Sequence, residues 1–356
     1  MKYLARKLKR AIVKSWEKID ILLIGFFSKN EILASIYYLF FSKRFYLEHK
    51  AVLASRVKYY KNLNSIDSSS VLIRRNIHKL EKGIIMRPRR AVFATTYIVE
   101  TVNAYATAVN NNKNDNDSSE TLIWAHDVLK EYFEITDDSN PIIKKAKHIF
   151  YAVPEIKTDK NSKPYLRKFS PELTISYEDF KNLAIRRRSV RWYKDETVER
   201  EKIDKAIEIA GLSPSACNRQ PFHLLIFDDK EKIESIARIP MGTKGFYHNF
   251  PGIIAVIGYL SDFEYERDRH IIYIDASLFI MPFLYTLELQ GVSSCIINWP
   301  DIPQKESLIM KQLGLSKNER IIMFISYGYP DPNGMVPYSQ KKNVNQLRSY
   351  NRKLHN

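Results

Sequence analysis

The chain has 356 residues, of which 45% are hydrophobic and 27% charged, a globular balance with room for two ordinary domains. Its net charge is +16, which implies attraction to something anionic: nucleic acid, an acidic membrane surface or a phosphorylated ligand. Two cysteines, Cys217 and Cys295, exclude a disulfide framework or a cysteine-built metal centre, and the eight histidines lack ligand spacing, so no metal is expected.

Residues 1–50 hold eleven basic and four acidic side chains. Leu4, Leu8, Ile12 and Val13 lie at helical spacing among the lysines. This predicts a basic amphipathic helix lying on an anionic membrane surface, or one packed on the rest of the protein. The apolar runs "IDILLIGFF" and "ILASIYYLFF" are too short to cross a bilayer. No secretory signal is evident, and a cytoplasmic protein is expected, with a peripheral place on the inner face of the membrane as the alternative that the basic helix opens.

From Val71 to Ala94 the chain carries Arg74, Arg75, His78, Lys79, Lys82, Arg87, Arg89 and Arg90 against a single acid, Glu81. This stretch reads as a surface that docks on the rest of the chain, or as a second anion site for a nucleotide-sugar or polyphosphate. "NNNKNDNDSSE" is a loop, and "TLIWAHDVLKEYFEI" has the apolar spacing of a helix. Polar residues and prolines at 157–173 mark a boundary between a mostly helical region, 1–165, and a second unit, 170–356.

The second unit alternates helices and strands. "SYEDFKNLAI" predicts a helix from about Ser176, and "REKIDKAIEIAGL" a helix stopped by Gly211. "HLLIFD", "GIIAVIGYL", "SSCIINW" and "IIMFISYGYP" read as strands. "IIYIDASLFIMPFLYTLELQG" is long and apolar on most sides, which predicts a buried helix. The fold class expected is α+β: a central mixed sheet flanked by helices, preceded by the helical N-terminal region.

Two motifs carry chemistry. In "RRRSVRWY", Arg187, Ser189 and Arg191 alternate, so an extended backbone puts three donors on one face. Guanidinium forks match phosphate oxygens in pairs. The bland reading is a solvated face, or ion pairs with Glu178 or Asp179. In "LSPSACNRQPFHLLIF", Ser215, Asn218 and Gln220 are uncharged polar groups in a loop stiffened by Pro214 and Pro221. Such groups can hydrogen-bond a planar, heteroatom-rich ring; they also suit an ordinary helix–strand turn.

R-R-S-V-R-x-[FY] followed by P-S-x-x-N-x-Q-P resembles the nitroreductase family of FMN-dependent oxidoreductases. The helix–glycine–strand element "LELQGVSSCIINW" and the tail "GYPDPNGMVPYSQKKNVNQL" are similar to the family as well, so the likeness covers roughly residues 176–350. It implies FMN as cofactor and NADH or NADPH as reductant. Arg187, Arg188, Ser189 and Arg191 would hold the flavin phosphate and ribityl chain. Pro214, Ser215, Asn218 and Gln220 would reach the flavin of a partner subunit. Gly291, Ser293, Ser294 and Cys295 would pass along the ring, and Lys341 or Lys342 would stand where the family has a late basic residue. That last match is poor, since Asn343 and Val344 follow rather than a proline.

The implied activity is hydride transfer from NAD(P)H through flavin to an oxidised substrate, on the cofactor itself and with no catalytic side chain. The implied assembly is a homodimer with FMN at the interface. Another class of function is a flavin-binding module of a polysaccharide-biosynthesis or membrane-associated pathway without general reductase activity. A basic nucleic-acid-binding protein would explain the charge but not the two motifs, and no nucleic-acid partner is expected.

Overall fold

The computed structural model describes residues 19–63, 69–111, 119–156 and 161–352. The amphipathic pattern at Leu4–Val13 and most of the loop after Asn110 lie outside the described residues, as does the start of the 157–173 boundary.

Residues 19–27 are helical and are followed by α1 (Glu31–Phe40), α2 (Tyr46–Leu63), α3 (Ser69–Ile84), α4 (Ile98–Asn111), α5 (Ser119–Ile135) and α6 (Pro141–Tyr151). In α3, Ile73, Ile77, Leu80 and Ile84 recur every three to four residues and face inward. They pack with Val102 and Tyr105 of α4, Leu129 and Tyr132 of α5 and Phe150 of α6, forming a core of helices alone. Two buried polar groups in it are satisfied: the Asn76 amide donates to Thr101 Oγ1 at 3.0 Å, and Tyr105 Oη pairs with His126 Nδ1 at 2.9 Å.

The second half runs α7 (Tyr177–Arg186), α8 (Arg200–Ala210), β1 (Phe222–Phe227), α9 (Lys230–Ala237), β2 (Gly252–Tyr259), α10 (Ile271–Leu289), β3 (Ser293–Asn298), α11 (Pro303–Leu313), β4 (Glu319–Gly328) and α12 (Val344–Leu347). The fold is α+β, and each expected strand is present. The sheet order is β1-β2-β4-β3, and all three pairings are antiparallel. The parallel component is an isolated bridge between Ser189 and Ser294. Alternation along β2 sends Ile254 and Val256 toward α8 and α10, and Ile253, Ala255 and Ile257 toward α9 and α11. A strand buried on both faces thus reads as the continuous apolar run seen in the sequence.

The helix α10 departs from expectation. Ile272, Ala276, Phe279, Phe283 and Leu287 are buried against the sheet and α8, but Ile274, Leu278 and Leu289 are exposed. One helix face can touch one sheet, so an all-round apolar helix leaves its outer stripe bare within a single chain. With the turn before it (266–289), this is the one helix among the described residues long and apolar enough to span a membrane; it is the core helix of the α+β unit.

The two halves touch. Ala51 and Val52 of α2 join the core formed by α10 and the sheet. Arg56 pairs with Glu266 at 2.5 Å, and Arg269 with Glu48 at 3.4 Å.

Candidate functional site

The arginine-rich segment begins where α7 ends. Ser176 caps α7 through a reciprocal capping box with Asp179, and Lys181 takes Glu178. The two acids weighed as partners for the arginines are therefore occupied. Arg187 is the C-cap, and beyond it the chain is extended. Val190 N–H donates to Ser294 O at 3.0 Å, which seats the segment beside β3. Tyr193, fully packed, donates to Val190 O at 2.7 Å and meets Ser326 Oγ at 2.9 Å, locking the strand-like piece to β4.

Arg186 differs from its neighbours: it reaches the buried Glu288 at 3.1 Å. Among the described residues, Arg187, Arg188 and Arg191 have no ion-pair partner, and all three are half-buried. Arg191 Nη1 donates only to Ser189 O, at 3.3 Å, and its guanidinium lies 5.7 Å from the Phe246 ring. Half-buried guanidinium groups with spare donors around a hydroxyl suit a phosphate. Burial raises the Cys295 thiol, while the Arg191 charge, the Ser189 hydroxyl and the Arg187 charge pull it down. Cys295 is thus a buried neighbour of the cluster.

Gly291 makes the turn from α10 to β3 at φ +77°, a conformation that glycine adopts freely. Ser293 and Ser294 follow, both buried. The Ser293 hydroxyl donates to Glu288 at 3.1 Å, so its one proton is already committed.

The second motif is a strained loop. Cys217, Asn218 and Gln220 have φ of 53°, 52° and 52°. Each is a non-glycine residue in the left-handed region, at a cost of about 1–2 kcal/mol. The loop is held from below by Asp275 of α10, whose Oδ2 accepts from Ser215 Oγ at 2.7 Å and from Ala216 N–H at 2.9 Å. Ser215 Oγ in turn accepts from Gln220 N–H at 2.8 Å, and the Gln220 amide donates to Asn218 Oδ1 at 3.1 Å. From above, Arg74 Nε donates to Asn218 O at 2.8 Å. The basic stretch of α3 therefore lies directly on this loop, as the docking reading expected.

Within one chain the predicted residues fall into separate groups. Among the described residues no hydrogen bond or ion pair joins Arg187–Arg191 to Ser215–Gln220. Lys341 and Lys342 lie in an exposed tail before the capping box of α12, and neither is bonded to the arginine cluster. A cavity of about 400 Å³ opens elsewhere, lined by Asp195, Glu196, Asp228 and Glu234 with Tyr193 and His248. Its acids oppose a phosphate, and the arginine cluster is no part of its wall.

These motifs, on this α+β frame, are matched by the model of the nitroreductase family over residues 184–244 and 239–329. Residues 184–329 form a nitroreductase-family domain. The family is one of oxidoreductases. A protein of Archaeoglobus fulgidus, named for NADH dehydrogenase or NAD(P)H nitroreductase activity, is 25% identical over 154 residues, covering 43% of this chain and 86% of its own. Iodotyrosine deiodinase 1 of Sus scrofa is 24% identical over 206 residues, covering 49% and 70%. Among solved structures, an FMN-dependent nitroreductase from Clostridium difficile R20291 is 25% identical, with TM-score 0.41, over 48% of this chain and 97% of its own.

Sequence reasoning missed Asp275 and Glu288, which position both parts of the nitroreductase domain's candidate site. The signal was there: they are the two acids in an otherwise apolar helix, and buried carboxylates need partners.

Proposed function

We propose that the nitroreductase domain binds FMN and is an oxidoreductase that draws on NADH or NADPH to reduce an oxidised small molecule. The observation that carries this reading is the set Arg187, Arg188 and Arg191, half-buried beside Ser189 without carboxylate partners. Their forks would bind the phosphate, and Ser189 the adjoining ribityl chain. Bound FMN supplies the hydride acceptor and donor. The backbone of Gly291, Ser293 and Ser294 would border its ring. Pro214, Ser215, Asn218 and Gln220 would meet the ring of a second copy's flavin, orienting it and excluding water, and Lys341 or Lys342 would complete the clamp. A symmetric homodimer fits the separation of the two motifs within one chain and the bare apolar stripe Ile274, Leu278 and Leu289. The helical half, 1–165, then caps the redox half, 170–356.

A membrane-facing role for the N-terminus draws on a second observation. Leu22, Ile32 and Phe40 are 76%, 74% and 72% exposed on consecutive short helices beside Lys29, Lys43 and Arg44. Bare apolar side chains flanked by cations suit an anionic lipid surface on the inner face of the membrane.

An absorption spectrum of the purified protein tests the main reading. A flavin band that bleaches anaerobically with NADH or NADPH is the expected result. Arg187→Ala with Arg191→Ala should give a folded, colourless protein. Full flavin content in that double variant would place the phosphate elsewhere.

A further inference from the structure

The basic face of α3 has so far only a docking role. Arg74 is committed to it: besides Asn218 O it donates to Thr121 Oγ1 at 3.0 Å, and it lies 5.7 Å from the Trp124 ring. Two nearby cations, Lys79 and Arg219, are less committed. Lys79 has Nζ 3.8 Å from the Tyr97 ring centroid. Arg219, in the strained loop, stacks 4.7 Å from the Phe263 ring, and its Nε is buried with no hydrogen-bond partner among the described residues. Arg75 is engaged at every guanidinium nitrogen: it donates to Asn76 Oδ1 at 3.1 Å and Tyr59 Oη at 2.9 Å, and lies 3.7 Å from Glu100. Glu100 is the one ion-pair partner that any of these four cations has among the described residues.

The cations also share one neighbourhood. The Arg74–Asn218 bond holds α3 against the loop that carries Arg219, and Arg75 and Lys79 lie one turn apart on that helix. Burial lowers the pKa of both Lys79 and Arg219 and the charge of Arg75 lowers each further, while Glu100 acts against the fall at Lys79 and Asp268 at Arg219. Crowded, partly desolvated cations and a buried donor without an acceptor are unfavourable, the last by about 1–3 kcal/mol. Both costs are relieved by an oxyanion, whose acceptors match a guanidinium fork.

We infer that Lys79 and Arg219, with Arg75 behind them, form a binding site for the phosphate or carboxylate of a small molecule, built jointly by α3 and the loop 215–220. If that loop borders a flavin, as proposed above, the site selects anionic substrates for reduction. The anion site itself does not depend on the flavin.

Calorimetric titration of the full-length protein at low salt, with inorganic pyrophosphate and separately with malonate, tests this. Binding of either probe is expected, with affinity at least tenfold weaker in Lys79→Met and in Arg219→Met. The probe bound more tightly tells phosphate from carboxylate. Lys79→Met changes no loop residue, so it remains informative should Arg219→Met fail to fold. Wild-type protein that binds neither probe, or variants that bind both as well as wild type, would overturn the inference. Flavin absorbance is read on the same samples: colourless protein that binds pyrophosphate through Lys79 would refute the flavin reading alone.

Discussion

Asp275 and Asp262 show what burial does to two aspartates of the same unit. Asp275 is occupied by a hydroxyl and an amide of the loop. Asp262 is pushed up from 3.8 to about 7 by burial, with Arg219 and Lys58 acting against the rise. Its folded-state pKa lies above the unfolded one. Between about pH 4 and pH 7 the folded chain keeps a proton the unfolded chain has released, so stability falls as pH rises through that window and then levels off. Asp262→Asn removes the penalty. Its stability relative to wild type should grow by about 2–3 kcal/mol between pH 5 and pH 8 in urea unfolding. An equal difference at the two pH values would show that Asp262 does not titrate in this window. Neither aspartate's role could be read from the sequence: composition marks an acid in an apolar stretch, but not which loop it meets.

At the scale of elements, α10 is the clearest case of a partly legible feature. Its length and apolarity were plain, and so were the four strands, because a continuous apolar run bounded by turn residues has few other solutions. Periodicity could not tell a helix buried on one face from one buried on two, since both faces are apolar in sequence. The bare stripe leads to a direct expectation. Leu278→Arg should leave the chain folded, as this side chain faces outward, and should shift the mass measured by light scattering from dimer to monomer. An unchanged mass would remove this face from the interface. Flavin should be lost with the dimer, because each proposed site draws on both copies.

Across the whole molecule, the nitroreductase-family region was legible through local motifs, whereas its relation to the helical region was not. Arg74 and Asn218 are 144 residues apart, and nothing in either segment names the other; the basic run around Arg74 could only be sorted into docking or ligand binding. The charge of the chain is distributed accordingly, part in the cluster Arg187–Arg191, part on α3, and part in the first fifty residues. For that last part, flotation with phosphatidylglycerol vesicles is expected, and it should fall with added salt and in Leu22→Asp with Phe40→Asp. Wild-type protein that stays with the unbound fraction would dismiss the membrane surface as a partner.

The left-handed run at Cys217, Asn218 and Gln220 has a bearing on protein engineering. Its shape is maintained by Asp275 from its own half and by Arg74 from the other. A fragment trimmed to begin near residue 170 would keep every recognisable signature yet lose one of the two braces. Such a fragment should sample relaxed loop geometries, and transplanting the redox half onto another scaffold would call for α3 to travel with it.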